Sequence, residues 1–189
     1  MKNQLICISI ALLTLVACKQ PVAVEESESP DYALFDRNVE VVRSFIKAHS
    51  DENLDAIQAI LTDTLQYSPA DYNGNQWLGK EEFTNTLKGY HDAFDNIKFT
   101  EGIVTANSTL NGFWSGSVFP KENANSGGTN VRSYGTWSAT HTASGKEIGV
   151  KWFALVGVNN DGQIVSFSDY FDVNGLAVQI ASAEEEVEE

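Results

Sequence analysis

The sequence predicts an α+β domain in which about three N-terminal helices pack on one face of a mostly antiparallel sheet. Apolar residues recur at helical spacing as far as residue 91 and at strand spacing from residue 97 onward. The later segments are separated mostly by hairpin-length turns, which favour antiparallel neighbours.

Taken in order, the chain opens with an address. Lys2 supplies a positive start, Leu5 to Val16 a short apolar run, and Leu15-Val16-Ala17-Cys18 a small-residue cleavage region. The run is too short for the roughly 20 residues of a bilayer span. These residues resemble a bacterial lipoprotein signal over residues 1–17. That resemblance implies cleavage before Cys18, acyl chains such as palmitate on it, and a lipid-anchored place in the cell envelope. Lys19 after the cysteine leans the expectation toward the outer membrane. Cys7 leaves with the signal and Cys18 is taken by lipid, so the mature chain is expected to hold no disulfide and no thiolate site.

Residues 18–35, with Pro21, Pro30 and the Glu25-Glu26-Ser27-Glu28-Ser29 run, have little to bury and read as an acidic tether. Residues 182–189, ending Glu184-Glu185-Glu186-Val187-Glu188-Glu189, read as a solvated acidic tail. The formal net charge is −14 and no basic patch is visible, which excludes nucleic acid as an expected partner.

Between the ends lies one domain, residues 36–181. Asn38 to His49 carries Val39, Val42, Phe45, Ile46 and His49 on one helical face. Asn53 to Leu61 is a second helix, with Leu54, Ile57, Ile60 and Leu61 on its stripe. Thr62 to Ser68 is strand-like, and Asp71 to Asn75 is a loop. Lys80 to His91 is the third helix, bearing Phe83, Leu87, Tyr90 and His91 on neighbouring turns. Strands are predicted at 97–106, 109–119, 131–142, 147–158 and 163–171, with a polar loop over 121–130. Asn159-Asn160-Asp161-Gly162 marks a tight turn before the last strand. Along that strand alternation puts Val165, Phe167, Asp169 and Phe171 on one face, and Ile164, Ser166, Ser168 and Tyr170 on the other. A carboxylate among apolar neighbours must be hydrogen-bonded, paired or raised in pKa, so Asp169 is the leading site candidate.

The segments N-L-D-A-I-Q-A-I-L-T-D-T at 53–64, S-G-K-E-I at 144–148 and D-G-Q-I-V at 161–165, followed by Asp169, Asp172, Leu176 and Gln179, resemble the nuclear transport factor 2-like superfamily and its SnoaL-like group. The resemblance implies a cone of three helices against a curved sheet with a pocket inside, and often a homodimer. It places the acid/base of the cyclase-type members at Asp169. Members include cyclases, isomerases, epoxide hydrolases and dehydratases, and others that only bind or dimerise, so fold does not fix function. Ser68-Pro69 stands where the ketosteroid isomerases carry an aspartate before proline, which argues against their mechanism. Gly135-Thr136-Trp137 stands where cyclase-like members often carry Gly-Thr-His.

His91 is a second catalytic candidate, as proton donor or ligand contact, with capping of its helix end as the alternative. Asp172, before a short helix at 175–180, is expected to cap it. Trp77, Tyr90, Trp114, Trp137, Trp152 and Phe167 are candidate ligand contacts, because small-molecule pockets are mostly apolar and aromatic. His141, near a strand end, is expected to be exposed and structural. His49, His91 and His141 show no metal-ligand spacing and no phosphate-binding glycine loop occurs, so neither metal nor cofactor is expected. Asn107-Ser108-Thr109 fits a glycosylation pattern, which carries little weight in a bacterial chain. The expected function is binding of a small, apolar or aromatic molecule. The alternatives are a lyase, isomerase or hydrolase using Asp169 as acid/base, and a dimeric interaction module without ligand.

Overall fold

In a computed structural model, residues 32–106, 108–115 and 129–188 are described, without the side chains of 183–188. The signal segment, Cys18 and nearly all of the tether lie outside the described residues, as does Asn107. Residues Asp31–Glu189 form one compact unit.

Helix α1 spans Ala33–Ser50, and its predicted stripe, Val39, Val42, Phe45, Ile46 and His49, is buried together with Asn38. Helix α2, Leu54–Ile60, starts where Asn53 caps it, the side-chain oxygen accepting from the Ala56 N–H at 3.0 Å. Strand β1, Leu61–Ser68, follows directly. Helix α3, Lys80–Ala93, begins at Gly79, whose N–H donates to the Glu82 carboxylate at 3.0 Å.

The strands are β2 (Phe94–Glu101), β3 (Ile103–Val104), β4 (Thr109–Leu110), β5 (Phe113–Ser115), β6 (Asn130–His141), β7 (Glu147–Val158) and β8 (Ile164–Phe171). The main sheet runs β1-β8-β7-β6-β2, with β5 also paired to β6. Among the described strands only the β1–β8 pair is parallel, so the sheet is mostly antiparallel. Register shifts between Asp95 and Lys98 and between Gly157 and Val158 bend it. The result is an α+β cone, with α1 and α3 against the concave face.

The sequence places strands better than it places their breaks. The strand expected over 97–106 starts earlier, at Phe94, and ends at Glu101, just before Gly102. This glycine has φ +116°, and a Cβ there would stand 2.6 Å from the Leu110 carbonyl oxygen. The chain turns out of the main sheet there, and β3 pairs only with β4. The 109–119 strand is likewise divided, into β4 and β5, and residues 116–120 lie outside the described residues. On β8 the bulge falls at Val165, since Val158 pairs with Ile164 while Gly157 pairs with Ser166. Ile164 therefore shares the buried side with Phe167, three residues away, against strict alternation.

Helix α4 spans Val173–Glu188 and continues through the segment read as a tail. Asp172 caps it as expected, its Oδ1 accepting from the Gly175 N–H at 2.8 Å. Gln179 docks it on β7, its amide donating to the Gly149 carbonyl at 3.1 Å and accepting from the Gly149 N–H at 3.0 Å.

The core is centred on rings. Phe45 and Phe83 lie 5.8 Å apart, Phe83 and Phe167 4.9 Å, Phe45 and Phe167 5.0 Å, and Tyr67 and Phe83 4.5 Å. Phe83 is 1% exposed. Phe83→Ala is expected to cost about 3–5 kcal/mol in urea denaturation. Trp77→Ala, at a site 58% exposed, is expected to stay within about 0.5 kcal/mol.

Candidate functional site

Beside the ring cluster the helices stand off the sheet and leave a cavity of about 90 Å³. Helix α1 contributes Phe45 and His49, β1 Tyr67, α3 Tyr90, β6 Trp137, β7 Trp152, and β8 Phe167 and Asp169. Leu176 of α4 closes one end. The volume is well under the roughly 300–1,000 Å³ of drug-sized pockets, and under the ~150 Å³ that takes up benzene in an engineered core. The space suits a group of a few heavy atoms.

Asp169 reaches the cavity because it follows Phe167 by two residues on the inner face of β8, opposite Ala154. Its Oδ1 is buried and has no hydrogen-bond partner among the described residues. Burial pushes the carboxyl from 3.8 up to about 6, against the Trp152 indole and Tyr67 hydroxyl, which favour the ionised form. The Asp71 carboxylate, in the loop after β1, adds to the upward push. That loop is held back on β1 by the Tyr67–Leu78 bridge, with backbone bonds of 2.9 and 2.8 Å. Burial and the Asp169 charge drive the Tyr67 hydroxyl far above its ordinary range, and the same causes push Tyr90 up to about 12.

Spacing puts His49 on the apolar face of α1, and nothing in the sequence marks it as a site residue. It lines the cavity, edge-on to Trp137 at 4.9 Å. Its Nδ1 is 2.8 Å from His91 Nε2. Burial, then the neighbouring His91, lowers its pKa to about 3, so it is neutral at physiological pH. The signal was a histidine continuing the stripe of Val42, Phe45 and Ile46. Tyr67 likewise lay in the strand-like run without being named.

The other candidates divide cleanly. Tyr90, Trp137, Trp152, Phe167 and Asp169 come together in the wall. His91 does not, and stands behind His49, its pKa lowered by burial. Trp77 and Trp114 also lie outside the wall, Trp77 in the 69–79 loop and Trp114, 45% exposed, on β5. The sequence offers six ring-bearing candidates for ligand contact, of which only some need line a cavity. These two face solvent because a loop and the outer parity of a short strand carry them. His141 is structural but buried, its Nδ1 2.9 Å from the Ser144 hydroxyl and its ring 5.9 Å from Phe94, because α3 and β2 cover that strand end. Among the described residues no cluster of His, Cys, Asp and Glu is arranged to hold a metal ion.

No protein-family profile matches the chain, and no curated protein matches it in sequence. Solved structures do match. A putative polyketide cyclase from Xanthomonas campestris pv. campestris superposes with TM-score 0.57 at 18% identity, over 78% of this chain and 99% of that one. An epoxide hydrolase of the LEH-like type from M. tuberculosis gives 0.55 at 16%, over 82% and 91%. A protein of ketosteroid isomerase-like fold from Catenulispora acidiphila, in complex with trimethylamine, gives 0.55 at 13%, over 75% and 92%. The domain therefore has the nuclear transport factor 2-like fold, and its solved neighbours include proteins described as cyclase and epoxide hydrolase.

The Asp169 shift makes stability depend on pH. The folded carboxyl binds its proton more tightly than the unfolded one, so its contribution is most favourable below pH 3.8 and is lost as pH rises through about 6. His49, lowered to about 3, acts with the opposite sign over the same window. Comparison with Asp169→Asn isolates the carboxyl. Relative to that variant, the wild-type chain should lose roughly 2 kcal/mol between about pH 4 and pH 7 in urea titrations. An unchanged difference would mean that the carboxyl is solvated or ion-paired.

Proposed function

We propose that this domain binds a small molecule with an apolar body in the cone cavity, with Asp169 contacting its polar group. The observation that carries the reading is a buried carboxyl oxygen without a partner in a cavity walled by Tyr67, Tyr90, Trp137, Trp152 and Phe167. A side chain kept only for packing would not leave that oxygen unpaired, since an unmet buried acceptor is costly. The trimethylamine held by one solved neighbour is of the small size this cavity takes.

The pKa of Asp169 favours a second reading, acid–base transformation of the bound molecule. A carboxyl that titrates at about 6 can accept or return a proton near neutral pH. In that reading Asp169 takes a proton from the substrate, and the Tyr67 and Tyr90 hydroxyls and neutral His49 hydrogen-bond the oxygen or nitrogen where charge develops. The full chain and its Asp169→Asn variant, each incubated with a small-metabolite extract and followed by mass spectrometry, separate the readings. One compound enriched in proportion to protein, by the unaltered chain alone, is the result expected for binding. Conversion beyond the amount of protein would move the assignment to catalysis. Failure of the unaltered chain to retain or change any compound would sink both.

The surroundings belong to the same proposal. The L-V-A-C segment supports a lipid anchor at Cys18 in the cell envelope. The outer sheet face carries a row of Tyr134, Phe153 and Tyr170, with ring separations of 4.8 and 5.5 Å, which supports a homodimer. Native mass spectrometry of protein extracted from membranes checks both points. The expected species is a pair of chains, each lacking residues 1–17 and acylated at Cys18.

A further inference from the structure

We infer that the occupant of the cone cavity is a small tertiary ammonium ion, its single N–H directed at Asp169 and its alkyl groups against the surrounding rings. The inference rests on the reading of the cavity as a binding site and adds the charge and shape of the ligand.

Charge comes first. Among the described residues the cavity wall holds no lysine and no arginine, and Asp169 is its one acidic residue. The Asp71 carboxylate acts on Asp169, Tyr67 and Tyr90 from the neighbouring loop. An anion would meet like charges on entry. A neutral ligand would leave the buried carboxylate without a countercharge, since Trp152 and Tyr67 offer it hydrogen bonds alone, and buried charges are paired in proteins. A cation meets both conditions.

Next is the wall. Tyr67, Tyr90, Trp137, Trp152 and Phe45 supply aromatic rings around one carboxyl, and aromatic rings with a nearby carboxylate are how a methylated ammonium is held. A primary ammonium carries three N–H donors, while the one carboxyl in the described wall offers a single oxygen without a partner. A tertiary ammonium has one, matching the one orphaned oxygen on Asp169. A quaternary ion has none and would leave that oxygen without a donor. The volume of about 90 Å³ suits a nitrogen carrying three short alkyl groups.

The groups facing Asp169 decide how binding follows pH. They are Tyr67 from β1, Tyr90 from α3, His49 from α1 across the cavity and Asp71 from the loop. Both tyrosines stay protonated and His49 stays neutral near physiological pH, so Asp169 sets the change. Affinity for a cation should rise as this carboxyl ionises.

Calorimetry on the full chain tests the inference with trimethylammonium, tetramethylammonium and tert-butanol, the last an uncharged probe with the same three methyl groups. At about pH 7.5 trimethylammonium should bind at least about tenfold more tightly than tert-butanol, with tetramethylammonium between them, and its affinity should fall about tenfold by about pH 5. Asp169→Asn should erase the preference for charge. Asp71→Asn, at an exposed loop position, should weaken the cation a few-fold and keep the fold measurable if the first variant unfolds. Equal binding of tert-butanol and trimethylammonium would overturn the inference and leave the cavity reading standing. Absence of binding by all three probes would overturn both.

Discussion

The contact among Phe45, Phe83 and Phe167 sets the distance at which two helices stand from the sheet, and the rest of the molecule follows from it. Each ring comes from a different element, α1, α3 and β8, and all lie within 6 Å of one another. Aromatic side chains give the largest burial available per residue and keep a fixed shape. They fill one part of the cone, and their outer edges, with Asp169 two residues along β8 from Phe167, border the space left beside them. A dense core and a cavity are two outcomes of the same helix placement.

That arrangement puts a carboxyl where packing alone would put a hydrocarbon. The residue destabilises the fold when ionised, and the protein carries the cost in the region where chemistry or recognition is possible. His49 shows the complementary solution. It is buried in the same wall, but it gives up its charge and spends one ring nitrogen on His91. One titratable group has been pushed up and the other down, so a single small space contains a carboxyl that is more basic than an imidazole.

Periodicity made the helices and the long strands legible, because one face of each is buried and the burial has a fixed spacing. It also marked Asp169, a charge on an apolar strand face. What it missed were interruptions. The extra residue at Val165 moved Ile164 to the buried side, and the left-handed conformation at Gly102 took β3 out of the main sheet. Both depend on pairing partners far along the chain, which no local window contains. The site was half legible for a related reason. Tyr90, Trp137, Trp152 and Phe167 lie on buried faces and were found, whereas Trp77 and Trp114 were chosen for ring size and face solvent. His49 was seen as part of a stripe, yet a stripe does not distinguish a residue packed against neighbours from one that borders a hole.

The Gln179 clamp has a meaning beyond holding α4. Strand β8 reaches only as far as Trp152 on β7, so the backbone of β7 before that residue has one free side. At Gly149 the side-chain amide of Gln179 supplies the donor and acceptor that another strand would have supplied. An open strand edge invites a neighbouring chain to extend the sheet, and proteins close such edges in various ways. Here a single amide does so from a helix, so the sheet is terminated by the same residue that brings Leu176 to the end of the cavity. Loosening of that helix would expose a sticky margin and the cavity together, tying resistance to aggregation to the integrity of the pocket.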